Sequence, residues 1–243
     1  MKISTKYKSP NFNERIDGAW PEYLIIHCTE CDFDTSIQLL TQPRENPVSS
    51  HYLIDTDGNT YQLVDNEKRA WHAGRVSHWR DKEALNSCSI GIEIVNPGRQ
   101  RPDNEYTPAQ MDTTLELCQM LMNEHDIHKA NVLAHSDIAP HRKEDPGEHF
   151  DWTFLADNGV GIYAYADSNS LTLIELQQLL STFGYQIDIT GDLDEQTVKV
   201  IKAFQMHFDP QNVNGLPHVG YGGLLKSLIS QQPQIINKLR ASG

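Results

Sequence analysis

Five short runs, "YLIIH", "SSHYLID", "TYQLV", "SIGIEIV" and "NVLAHSD", limit the fold of this chain more than any other feature. Each is rich in β-branched or aromatic residues and bounded by turn formers, so each predicts a strand. Before the last of them stands one long helical stretch, announced by "YTPAQM". Thr107 predicts the N-cap, Pro108 the first helical position and Gln110 a capping box, with Tyr106 and Met111 as a hydrophobic staple. Met111, Leu115, Cys118 and Met122 recur at helical spacing and supply a buried face. Strands and helices in this order predict an α/β domain over residues 1–156, a mixed central β-sheet flanked by helices.

The pattern then changes. "ADNGVGIYAYADSNS" is polar and carries glycines, which predicts a linker over residues 157–169. In the tail, residues 170–243, only helical signals appear. "LTLIEL" repeats the capping-box logic, with Thr172 as N-cap, Glu175 closing the box and Gly184 as the stop. "GDLDEQTVKVIKAFQMHF" predicts a second helix behind Asp192, with Val198, Ile201 and Phe204 along one side. A third covers "GGLLKSLI" and continues towards the C-terminus, making a small C-terminal three-helix domain.

Composition removes several function classes. A chain of 243 residues is long enough for one sizeable core and one smaller one. Its 33 acids against 20 bases give a formal charge of -13, and without a basic stripe that argues against a nucleic-acid partner. No apolar run is long enough for a transmembrane segment. The start, "MKISTKYKSPNFNERIDG", has no hydrophobic leader region, so the expectation is either a cytoplasmic protein or the mature part of an exported one. Cys28, Cys31, Cys88 and Cys118 are too few and scattered for a disulfide scaffold and read as small buried thiols.

The chemistry gathers around "AHSDIAPHRKEDPG". A catalytic zinc takes three protein ligands from His and Asp/Glu and keeps a fourth position open. His27 closes one apolar strand, His135 sits in another, and Asp145 lies further along the same segment, so the three would make such a set. Asp137, Glu144 and His141 compete for the role. Strand alternation points Asp137 to the same face as His135, suited to orienting a ligand, and Glu144 reads as solvated. Spacing alone does not separate these candidates.

In "SIGIEIVNPG", alternation puts Ile90, Ile92 and Ile94 on one face and Gly91, Glu93 and Val95 on the other. Glu93 is then either part of an exposed sheet face or a general base in a polar cavity, with Gly91 leaving room for substrate. "AWHAG" offers Trp71 and His72 as core packing or as a wall for a sugar or peptide. His51 reads as structural, with a smaller part in lining a pocket.

"IIHCTE", "SSHYLID", "AWHAG", "SIGIEIVN" and "AHSDIAPHRKEDPGEHFDW", in that order, resemble the amidase_2 family of zinc N-acetylmuramoyl-L-alanine amidases. "SPNFNERI" and "AFQMHF" extend the resemblance to nearly the whole chain. It implies Zn2+ held by His27, His135 and Asp145, Glu93 as catalytic base and Lys143 as an oxyanion-stabilising group, with His141 outside the ligand set. The substrate-binding expectation stays with Trp71, His72 and His51. The tail resembles a peptidoglycan-binding three-helix domain.

The implied reaction is hydrolysis of the amide between the lactyl group of N-acetylmuramic acid and L-alanine, in peptidoglycan or muropeptides, by a zinc-activated water. Two other readings are a non-catalytic peptidoglycan-recognition protein, against which the intact ligand trio argues, and a zinc peptidoglycan endopeptidase. The absence of HExxH removes the commonest helical form of the latter. A wall-binding tail favours the periplasm or cell envelope over the cytoplasm.

Overall fold

The apolar runs assemble into one six-stranded sheet in the computed structural model, which describes residues 1–165 and 170–233. Its strands are β1 (Ile3–Ser4), β2 (Tyr23–Cys28), β3 (Tyr52–Ile54), β4 (Thr60–Gln62), β5 (Ser89–Ile94) and β6 (Val132–Ala134). They lie in the order β1-β4-β3-β5-β2-β6, all neighbours parallel except the antiparallel β3/β4 pair. Both faces of the sheet are covered, so all six residues of β2 are buried.

The helices are α1 (Phe33–Thr41), α2 (Pro108–His125), the single turn α3 (His135–Ile138), α4 (Trp152–Asp157), α5 (Leu173–Phe183), α6 (Glu195–Phe208) and α7 (Tyr221–Ser230). The capping boxes at Thr107 and Thr172 both form, because each hydroxyl and each N3 side chain meets an otherwise orphaned backbone N–H. Leu117, Cys118 and Leu121 of α2 pack on Ile90, Ile92 and Ile94, leaving the opposite face of β5 to Glu93. In the β2/β5 register His27 stands beside Glu93.

Two local expectations change. Helix α6 is capped by Asp194, whose carboxylate accepts from the N–H of Thr197, while Asp192 lies in the preceding turn. β6 ends at Ala134 and His135 opens α3, so strand alternation does not govern Asp137. Its side chain folds back to accept from the N–H of Ala134, which caps the turn instead of following His135.

The tail is packed onto the sheet domain. One hydrophobic cluster runs from Tyr23, Ile25, Trp79 and Ile138 into Phe183, Tyr185, Phe204 and Leu224. Trp79 is wholly buried, with its ring edge-on to those of Phe183 and Tyr185. Gly184 permits this: a Cβ there would stand 2.6 Å from the Trp79 ring, and its φ of +146° suits glycine. Within the expected linker, Val160 and Ile162 are buried. Residues 166–169 of that linker, and the stretch beyond 233 where the third helix was expected to continue, lie outside the described residues.

Candidate metal centre

β2 carries His27, β5 sets Glu93 beside it, the end of β6 runs straight into His135, and the loop after α3 returns Asp145. The N–H of Ser136 donates to the Asp145 carbonyl at 3.0 Å and closes that loop. The Asp145–Pro146 peptide is cis. His27 Nδ1 lies 2.9 Å from His135 Nδ1, and the two nitrogens stand 3.3 and 3.0 Å from Asp145 Oδ2. All three side chains are at most 5% exposed.

This donor set fits a metal ion. A tetrahedral ion with bonds of about 2.0–2.1 Å spaces its donors roughly 3.3 Å apart, close to the size of this triangle. Three lone-pair atoms facing one another in a buried site share too few protons to satisfy all of them, whereas one cation satisfies all three. Burial pushes the His135 imidazole down to about 4, which favours the neutral, ligating form.

The backing of His27 follows a single direction of donation. With Nδ1 turned to the site, its Nε2–H donates to His72 Nδ1 at 3.0 Å, His72 Nε2–H donates to Ser89 Oγ at 3.2 Å, and the Ser89 hydroxyl donates to the Leu85 carbonyl. Burial lowers the His72 pKa well below the usual imidazole value and so keeps it neutral. Asn86 Oδ1 accepts from the backbone N–H groups of His72 and Ala73 and fixes that turn. A Cβ on Gly91 would stand 2.4 Å from the His72 ring. The space beside Gly91, expected to admit substrate, is therefore filled by His72.

Glu93, His135, Asp145, Lys143, Trp71 and the edge of His72 line a cleft of about 140 Å³. Glu93 Oε2 is buried without a hydrogen-bond partner, and burial pushes its carboxyl up to about 7, His27 opposing and Asp145 reinforcing the shift. Trp71 is half-buried, with Nε1 donating to Asn13 Oδ1 at 2.8 Å. Cys28 and Cys31 also line the cleft; Cys31 is half-buried, whereas Cys28, Cys88 and Cys118 are buried thiols.

Three candidates stand elsewhere. His51 is wholly buried and does not line the cleft: its Nδ1 accepts from the N–H of Gly91, and its Nε2 faces the Lys68 carbonyl and Arg15. Glu144 keeps a side chain 39% exposed and is also paired with Arg99 and Lys202, while His141 is exposed. Asp137 is buried and turned to Tyr185 and His207 of the tail. Asn86 and Arg15 were not singled out from sequence. An asparagine in "ALNSC" and an arginine in "NERI" carry no local sign that their partners are backbone groups distant in the chain.

The profile of the Amidase_2 family, N-acetylmuramoyl-L-alanine amidase, matches residues 17–148, and a peptidoglycan-binding domain profile matches residues 170–217. The chain is 36% identical over 242 residues to the N-acetylmuramoyl-L-alanine amidase AmiD of Escherichia coli, covering 89% of this chain and 86% of that protein. It is 34% identical over 161 residues to the 1,6-anhydro-N-acetylmuramyl-L-alanine amidase AmpD of the same organism, covering 59% of this chain and 85% of that one. The fold matches solved AmiD from E. coli, in complex with anhydro-N-acetylmuramic acid-L-Ala-D-gamma-Glu-L-Lys, with a TM-score of 0.78 at 33% identity over 90% of this chain and 93% of that chain. It matches AmpDh3 from Pseudomonas aeruginosa with the same TM-score at 30% identity, over 96% of this chain and 99% of that chain. With a family profile across more than half its length and a relative at that identity along most of it, this chain belongs to the Amidase_2 family of N-acetylmuramoyl-L-alanine amidases.

Proposed function

We propose that this amidase works as a zinc enzyme on peptidoglycan and muropeptides, with His27, His135 and Asp145 holding the ion, Glu93 as general base and Lys143 as oxyanion stabiliser. The observation that carries this reading is the convergence of three buried donor atoms within 2.9–3.3 Å of one another, beside a carboxylate oxygen with no partner of its own. The bond cut is the amide joining the lactyl group of N-acetylmuramic acid to L-alanine.

When bound, zinc supplies Lewis acidity, lowering the pKa of water and polarising the scissile carbonyl. Glu93 takes the proton of the attacking water on its free Oε2. A carboxyl raised towards neutrality then returns that proton to the departing amine of L-alanine. The Lys143 ammonium, also on the cleft wall, stabilises the negative charge that develops on the carbonyl oxygen. His72 holds the His27 ring by its Nε2–H, which keeps Nδ1 aimed inward.

Trp71 gives the sugar an aromatic wall. An adjoining groove of about 560 Å³ shares Glu30 and Cys31 with the cleft and offers Arg101 and Asp103 to the charges of a stem peptide. Residues 1–156 form the catalytic domain, residues 157–169 the linker, and the tail from residue 170 binds the wall, a reading supported by its peptidoglycan-binding profile. A polymeric substrate places the enzyme in the periplasm or cell envelope. No helix among the described residues is long and apolar enough to cross a membrane.

Mass spectrometry of products from a defined muropeptide tests the assignment. The expected products are the muramic acid sugar and the intact free peptide, lost on chelation and restored by zinc. Cleavage within the peptide would favour an endopeptidase, and release that survives chelation would remove the metal from the mechanism.

A further inference from the structure

The segment from His135 to Asp145 carries two of the three ligand residues, and helix α6 of the tail grips it at both ends. Asp137 is 1% exposed. Its Oδ2 accepts from the N–H of Ala134 at 2.8 Å and from His207 Nδ1 at 2.7 Å, and its Oδ1 accepts from the Tyr185 hydroxyl. His207 lies stacked between Trp152 and Phe208, each ring centroid 3.8 Å away. At the other end Glu144, which immediately precedes Asp145, accepts from Lys202 Nζ and from Arg99.

A carboxylate withdrawn from water persists only where donors replace its hydration. Two of the donors to Asp137 belong to the tail, and the third is the backbone N–H just before His135. The same carboxylate therefore caps the turn that aims the His135 imidazole and anchors that turn to α6 and its neighbour Tyr185. Lys202, earlier on α6, fixes the return of the loop next to Asp145. Among the described residues, His207, Tyr185 and Lys202 do not line the cleft.

We propose that the tail has a second task beside wall binding: through His207 and Tyr185 on Asp137, and Lys202 on Glu144, it positions His135 and Asp145 and so sets the affinity of the site for its metal. His207, Tyr185 and Lys202 are positioning residues. The inference rests on His27, His135 and Asp145 being the ligands.

The test is the zinc affinity of the full chain, measured by competition with a chromogenic chelator. His207→Phe keeps a ring between Trp152 and Phe208 and removes only the donor, while His207→Asn puts back an N–H near Nδ1. The expected loss in His207→Phe is about 10-fold, the low end for outer partners of metal ligands. Lys202→Met loses affinity several-fold and His207→Asn recovers most of it. Gln205→Ala is the control on the same helix, because its side-chain partners Asn214, Gly215, Leu216 and Tyr221 all lie within the tail. It lowers thermal stability and leaves zinc affinity in place. Affinities of His207→Phe and Lys202→Met within about twofold of the parent overturn the proposal, as does a Gln205→Ala loss equal to that of His207→Phe. If His207→Phe does not fold, the half-exposed Lys202→Met decides. His135→Ala separates the two readings: undiminished zinc binding there removes the ligand assignment itself.

Discussion

The His72 ring rests on Gly91 and meets His27 Nε2 at 3.0 Å, so a missing side chain on β5 decides how a histidine on β2 is aimed. Gly91→Ala is expected to push His72 off its partner and weaken zinc binding by roughly 10–100-fold. In a His72→Ala background the same substitution should add little, since the atom it strikes is gone. Zinc titration of the two single variants and the double variant checks this, and a Gly91→Ala penalty that persists without His72 would refute the coupling.

Glu93→Gln should reduce kcat by about 10²–10⁴-fold and leave zinc bound, because the amide cannot accept the proton. The base must be ionised, so the rate climbs as pH rises through the Glu93 pKa. Burial pushes that pKa up to about 7 against the opposing pull of His27 and Lys143, which places the acidic limb of kcat near neutrality. A pH–rate profile of parent and variant, with zinc content measured alongside, tests both statements. An unchanged acidic limb in the variant would assign it to another group.

Lys143→Met should cost about 10²-fold in kcat with a small change in KM, as expected for a group that meets charge only as it develops. Steady-state kinetics on a soluble muropeptide gives the split. A rise in KM alone would make Lys143 a substrate-binding residue.

Because the sheet domain and tail share one hydrophobic cluster, the full chain should unfold in a single transition seen alike by circular dichroism and tryptophan fluorescence. Gly184→Ala should lower that transition by about 1–3 kcal/mol, the usual cost of overpacking, since its Cβ meets the buried Trp79 ring. Two separated transitions in the parent would show that the tail folds independently.

Much of the fold was legible locally. The strands at Tyr23–Cys28 and Ser89–Ile94, the face carrying Glu93, and the caps at Thr107 and Thr172 depend on a two-residue or 3.6-residue period and on side chains three positions apart. Such short-range chemistry is written in neighbouring residues. Order along the chain, read through the family resemblance, also brought His27, Glu93, Lys143, His135 and Asp145 forward together.

Tertiary structure decided what stands behind those residues. Asp137 was expected to share a strand face with His135, yet it caps the helical turn that His135 opens and takes a proton donor 70 positions away. Glu144, expected in solvent, is partly exposed and is also paired with Lys202, 58 positions away. His72, expected as core packing or a substrate wall, lines the cleft and also braces His27, while His51, read as structural with a smaller part in lining a pocket, is a buried acceptor for the Gly91 N–H. Whether a polar side chain meets water, metal or a distant donor depends on which surfaces exclude solvent after packing. Local sequence specifies most of the strands and helices and which residues are chemically able to hold a metal. Only the packed chain decided which of them are turned inward and which hold the others in place.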